Sequence, residues 1–256
     1  IFLFVFFYDA FMPKKSQVAL AGITTMLFGV FTLYGFFCPC LNGACATDAF
    51  AGMYNTSTIV ATIKNILNIG VFIVLIQSIK WANSEEQIIR RGEFYELLLV
   101  TLFGMYLMIS ARHFLLFVIG LEAASLPLAA MVAFDKKRVE SHEAAIKYIL
   151  TAVFSSAVFL MGLSFVYALT GSLYFDAIAA KIAAEQGVML IVAVAFVIAG
   201  IGFKLSLVPF HLWTADTYQG APTAVTAYLS VISKGATAFA FLVVMVQVFG
   251  SYGCCF

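Results

Sequence analysis

Residues 200–234, GIGFKLSLVPFHLWTADTYQGAPTAVTAYLSVISK, join two long apolar runs across a short polar interval, and each run carries a lysine: Lys204 and Lys234. The first run begins near Val188 and the second near Ala221, and both exceed the 18 apolar residues that separate a membrane span from a buried core helix. An ionisable group at bilayer depth costs between about 3 and over 10 kcal/mol, so it persists where something uses it. Working outward, the run FVIGLEAASLPLAA, Phe117 to Ala130, places a third charge, Glu122, in the same setting.

Composition agrees. Hydrophobic residues make up 63% of the 256 and charged ones 11%, against about 25% charged in a soluble domain. Seven complete candidate spans fall near Gln17–Phe37, Thr58–Ile79, Phe94–Ser110, Phe114–Phe134, Ala144–Leu169, Val188–Phe210 and Ala221–Phe249, after a partial one from Ile1 to about Phe11. A hydrocarbon core leaves no water for the backbone, and the alternation of a barrel strand is absent, so the expected fold is an all-α polytopic membrane helical bundle. Counting the partial span, the seventh helix is expected to be broken. Residues 1–93 hold the N-terminal transmembrane helices, 94–250 a five-helix unit and 251–256 a tail.

Lys14 and Lys15, then Lys80, Arg90 and Arg91, then Lys136, Lys137 and Arg138 occupy alternate loops, which places those loops in the cytoplasm. The opposite loops offer only Arg112 and Lys181, with Lys64 slightly inside the third span. These basic residues are explained by topology, so no nucleic-acid partner is implied; the partner is a lipid bilayer. Cys38, Cys40 and Cys45 cluster in an outer loop, where a disulfide and a plain helix end are both open readings. No metal-ligand spacing, phosphate loop or iron–sulfur spacing occurs, so no metal or cofactor is expected in this chain.

Glu122 lies nine residues past His113, roughly 13 Å along its helix at 1.5 Å per residue. Pro127 follows five residues later and Pro209 stands five residues after Lys204, so both charges are expected beside helix breaks. Broken helices whose freed polar groups line a cavity mark ion and proton paths. Lys234 is placed roughly 18 Å into its helix, with Ser230 and Ser233 on the preceding turn. Desolvation favours the neutral lysine and a nearby carboxylate restores its charge, so a Glu–Lys pair that closes and opens moves a proton. The competing reading is a static ion pair that fixes packing. Lys147 suits snorkelling as well as a path; Ser155, Ser156 and Ser164 suit channel hydration and close packing alike. His211 suits a relay or an interfacial position, and HLWTADTYQGAP, residues 211–222, reads as an interface anchor and turn.

The segment from Gly200 to Lys234, with FYELLLVTLFGMYLMISARHFLLFVIGLEAASLPL (94–128) and SHEAAIKYILTAVFSSAVFLMGLSFVYALTGSLY (141–174), closely resembles the antiporter-like membrane subunits of respiratory complex I. The resemblance runs from about Phe94 to Phe249 and more weakly through the first three spans. It implies proton translocation in which Glu122 pairs with Lys204, Lys234 passes protons onward and Lys147 contributes, with 94–250 as the first proton-channel repeat. It also implies neighbouring antiporter-like and small membrane subunits as partners, NADH, FMN, iron–sulfur clusters and quinone in other subunits, and a bacterial inner membrane rather than a mitochondrial one. The family continues with a second, inverted repeat, so the chain reads as an antiporter-like half, truncated after the eighth helix. Alternatives are an Mrp-type cation/proton antiporter subunit and a purely structural membrane scaffold.

Overall fold

The structure, a computed structural model, describes residues 1–12, 19–37, 48–84, 90–182 and 187–250. Lys14 and Lys15, the five cysteines and the tail 251–256 lie outside the described residues. Helices follow in the order α1 (Phe2–Phe11), α2 (Leu20–Phe37), α3 (Thr58–Ala82), α4 (Arg91–Ile109), α5 (Phe114–Val132), α6 (Val139–Thr170), α7 (Phe175–Ile182), α8 (Val188–Leu205), α9 (Leu212–Gly220), α10 (Thr223–Ala227) and α11 (Lys234–Gln247). A π-helical segment, Tyr228–Ser233, makes α10 and α11 one continuous rod. Among the described residues, seven helices are long and apolar enough to cross a membrane, and α1 is a shorter apolar one. The chain is an all-α polytopic membrane protein.

Burial is shared between protein and lipid, as exposed Ile66, Phe103, Phe154 and Val231 show. Without a hydrophobic drive between helices in lipid, close approach depends on small residues. The tightest pairings, α4 with α5 and α6 with α8, are built that way. A Cβ added at Gly104 would come within 2.5 Å of the Ala124 nitrogen, and one at Gly200 within 2.5 Å of the Phe159 Cβ. These contacts set α5, with Glu122, and α8, with Lys204, against the bundle.

The two ends of the bundle are distinct. At one, a two-stranded hairpin, β1 (Asp48–Ala49) with β2 (Tyr54–Asn55), bridges to Ala111, and His113 bridges to Tyr174. At the other, Trp81, Phe94 and Phe134 stack edge to face, Ser141 donates to the Val132 carbonyl and Gly220 packs on Glu140. Of the loops that alternation grouped by charge, those that follow α3 and α5 are therefore grouped in space.

Three expectations need correction. The run expected from Val188 to Phe210 stops as a helix at Leu205, four residues before Pro209. Ser206 takes a left-handed conformation, φ 58° and ψ 41°; its N–H reaches the Phe203 carbonyl and that of Leu207 reaches Gly202, the paired bonds of a Schellman end. Pro127, expected to break its helix, sits inside an uninterrupted α5; one missing backbone bond is tolerated when neighbouring helices hold the rod. Residues 211–222, read as an interfacial turn, contain α9, whose Trp213 is only 6% exposed because the helix folds back against α6.

Candidate functional site

The helix break is the natural starting point. Phe203, in the last turn of α8, offers its carbonyl to the Ser206 N–H at 2.9 Å and to the Trp213 indole N–H at 3.2 Å. Thr214 donates its hydroxyl to that of Ser206 at 2.7 Å. The Phe203 carbonyl and the Ser206 hydroxyl at the break are thus met by α9 rather than by lipid, which is the condition for irregular backbone at membrane depth.

Lys204 is the penultimate residue of α8, and its ammonium is buried with no hydrogen-bond partner among the described residues. The nearest compensation is aromatic: it lies 5.8 Å from the Tyr148 ring centroid and 5.9 Å from that of Phe203. Trp213 braces both rings, at 5.2 Å from Tyr148 and 5.1 Å from Phe203. A cation–π contact contributes about 0.5–2 kcal/mol, less than the several kcal/mol that a buried ion loses in leaving water, so the charge is under-compensated where it stands. A cavity of about 10 Å³, the size of one water, adjoins it between Ser125 of α5, Tyr148 of α6 and Ser233 at the end of the π segment.

Glu122 occupies the middle of α5, half-buried, and accepts a short 2.5 Å hydrogen bond from the Ser156 hydroxyl of α6. Among the described residues no ion pair joins it to Lys204. The two nevertheless act on each other electrostatically, and Glu122 also acts on Tyr148. The expected pair is thus present as neighbours with the contact open.

Lys234 begins α11 directly after the π segment, its ammonium 5.2 Å from the Tyr218 ring centroid. Single π turns recur at functional positions because they re-aim the residues that follow. Here the segment is pinned by Tyr228, which is fully buried with its hydroxyl 2.8 Å from that of Thr101.

The remaining sequence candidates separate. Lys147 points to the α6–α9 mouth, where it pairs with Asp216 at 2.6 Å and Glu143 at 2.7 Å and lines a cavity of about 220 Å³. Ser155 is a packing residue, buried and donating at 2.6 Å to the Gly200 carbonyl. Ser156, by contrast, faces Glu122, while Ser164 is exposed on the outside of α6. His211 is exposed at the N-cap of α9 and makes no side-chain cap bond. Sequence reasoning missed Tyr148, Asp216 and the contact of Tyr218 with Lys234, which depend on α9 folding back. The only signal was an aromatic or acidic residue within a few positions of each charge or break.

Against known families, residues 111–254 match the model described as "NADH:quinone oxidoreductase/Mrp antiporter, TM". The chain is 47% identical to NADH-quinone oxidoreductase subunit N of Azobacteroides pseudotrichonymphae over 96% of its length and 50% of that protein's. It spans about half the length of the curated relatives it matches. Among solved structures, a chain of respiratory complex I from Thermus thermophilus with bound aureothin superposes with TM-score 0.76 at 29% identity, over 94% of this chain and 50% of that one. A chain of the Mrp complex from Dietzia shares the fold at TM-score 0.80 and 17% identity, over 97% and 47% of the two chains.

Proposed function

Since the chain belongs to the NADH:quinone oxidoreductase/Mrp antiporter membrane family, we propose that it is the proton-translocating half of a subunit N-like membrane component of a bacterial NADH-quinone oxidoreductase. The observation that carries this reading is the buried, unpartnered ammonium of Lys204 at the end of a broken helix, with Glu122 and Lys234 on flanking helices. Residues 94–250 form the proton-channel repeat. Lys204 exchanges a proton when Glu122 closes on it or withdraws to Ser156, and Lys234 takes the proton onward. Lys147 and its two carboxylates hold the mouth between α6 and α9. The driving redox chemistry, with NADH, FMN, iron–sulfur clusters and quinone, belongs to other subunits, and the neighbours of this chain are further antiporter-like and small membrane subunits in the bacterial inner membrane. The 45–47% identity to two subunit N proteins favours this reading over an Mrp-type antiporter, for which the shared family model and the shared fold speak.

The test is Lys204→Ala in the full-length protein assembled in its native membrane. NADH-driven proton pumping is expected to fall about tenfold or more, with NADH oxidation by an artificial electron acceptor unchanged as the measure of assembly. Unchanged pumping would overturn the reading. Sodium-dependent proton exchange without NADH would instead establish the antiporter. Neutralising Glu122, Lys204 and Lys234 together with loss of assembly alone would establish the scaffold.

A further inference from the structure

Tyr218, on the post-break helix α9, carries three features that packing alone does not require. Its ring lies beneath the Lys234 ammonium at 5.2 Å. The hydroxyl oxygen is buried and has no hydrogen-bond partner among the described residues, an unfavourable arrangement for a polar group removed from water. The same phenol lies within electrostatic reach of Tyr148, the residue whose ring faces the Lys204 ammonium at 5.8 Å. Each lysine thus has its own tyrosine. The backbone here is fixed, since Thr226 donates its hydroxyl to the Tyr218 carbonyl at 3.2 Å and ties the end of α9 to the start of α10.

We propose that the Tyr218 hydroxyl relays the proton between Lys204 and Lys234, an inference that rests on the proton-translocation reading above. A phenol both donates and accepts, so it passes a proton without gaining or losing one. When Lys204 is charged and Lys234 neutral, an N–H bond of Lys204 breaks as an O–H bond forms on Tyr218, across intervening water. The original O–H bond of Tyr218 breaks as an N–H bond forms on Lys234. Tyr218 ends as it began, one proton has moved and no oxidant or reductant takes part. The ring keeps Lys234 in place during the transfer through the cation–π contact, which separates a positioning role from a relay role and makes the two testable.

Tyr218→Phe in the full-length, membrane-assembled protein keeps the ring and removes the hydroxyl. Pumping is expected to fall about tenfold, with NADH oxidation by an artificial acceptor unchanged and a larger slowing in heavy water than the unaltered protein shows. Tyr218→Leu, which removes the ring as well, is expected to fall at least as far. Normal pumping by Tyr218→Phe would overturn the relay, leaving at most a positioning role for the ring. Should either variant fail to assemble, 3-fluorotyrosine placed at position 218 preserves shape while making the phenol more acidic. A changed heavy-water effect on pumping supports the relay, and an unchanged one overturns it. Lys204→Ala and Lys234→Ala are measured alongside. If they pump normally the parent reading fails; if they do not and Tyr218→Phe does, only the relay fails.

Discussion

Lys204, the proposed exchange residue, has two aromatic rings at 5.8 and 5.9 Å and no hydrogen-bond partner among the described residues, while the Glu122 carboxylate of α5 is engaged by Ser156. A lysine with a fixed carboxylate contact would be a packing device, whereas one whose partner stands back is available for proton transfer. Lys147 illustrates the opposite case, clamped by Glu143 and Asp216 at an exposed mouth where such pairs contribute about 0–1 kcal/mol each. Another titratable residue acts on the fold itself. His113 caps α5, its Nδ1 accepting from the Leu115 N–H at 3.0 Å while its ring packs on Tyr174 at 4.5 Å. Burial holds its pKa below the ordinary histidine value of about 6.5. Since the folded state favours the neutral imidazole, this contribution to stability is complete above the unfolded pKa and is lost as pH falls through the lower folded one. The thermal midpoint of the detergent-solubilised protein is therefore expected to decline on acidification below about pH 6.5. His113→Asn, which keeps an acceptor, removes that histidine step, and His113→Ala loses about 1 kcal/mol at neutral pH. Midpoints measured across pH for the three proteins check this, and an identical acid decline in His113→Asn sinks it.

At the scale of elements, the spans were legible in the sequence and their interruptions were not. Hydropathy located α3 and α5 to within a few residues at either end, because lipid exposure demands an apolar run whatever the packing. It misplaced the break in α8, because proline was taken as the marker. The actual stop is a serine in a left-handed conformation, which costs roughly 1–2 kcal/mol and is held by a hydrogen bond from Thr214, eight residues on. Helix α9 was invisible for a related reason: its polar Thr214, Asp216, Thr217 and Gln219 read as a loop until α6 is there to receive Trp213 and Gly220. The π segment before Lys234 has no sequence signal of its own. Small residues in turn fix how closely elements approach. Gly104→Ala would place a methyl 2.5 Å from the backbone of Ala124, so α4 and α5 must separate. The expected destabilisation is about 1–3 kcal/mol, with reduced pumping as Glu122 moves from Ser156. Gly22→Ala, which meets nothing within 4 Å, is the matched control, and equal melting of the two variants would show that the α4–α5 contact is not tight.

Across the whole molecule, the two ends differ in charge as well as in structure. The hairpin, Ala111, Arg112 and Tyr174 gather at one end, tied by the Asn55 N–H to the Ser110 carbonyl and the Arg112 N–H to the Met53 carbonyl. At the other end the chain places Lys80, Arg90, Arg91, Lys136, Lys137 and Arg138, together with the mouth that Lys147 and Asp216 line. Excess lysine and arginine in short loops marks the cytoplasmic side. The mouth between α6 and α9 therefore lies on the cytoplasmic side, and on the proposed function that is the side from which Lys204 draws its protons. Single cysteines placed in a background where Cys38, Cys40, Cys45, Cys254 and Cys255 are replaced test the arrangement directly. Val139 and Phe50, 76% and 71% exposed, sit at the two ends and tolerate the change. A membrane-impermeant maleimide is expected to label Val139→Cys only in inside-out vesicles and Phe50→Cys only in right-side-out ones. Labelling of both from one side would mean that the loops do not segregate. The reverse pattern would invert the chain, and would then require the Lys147 mouth to release protons rather than admit them.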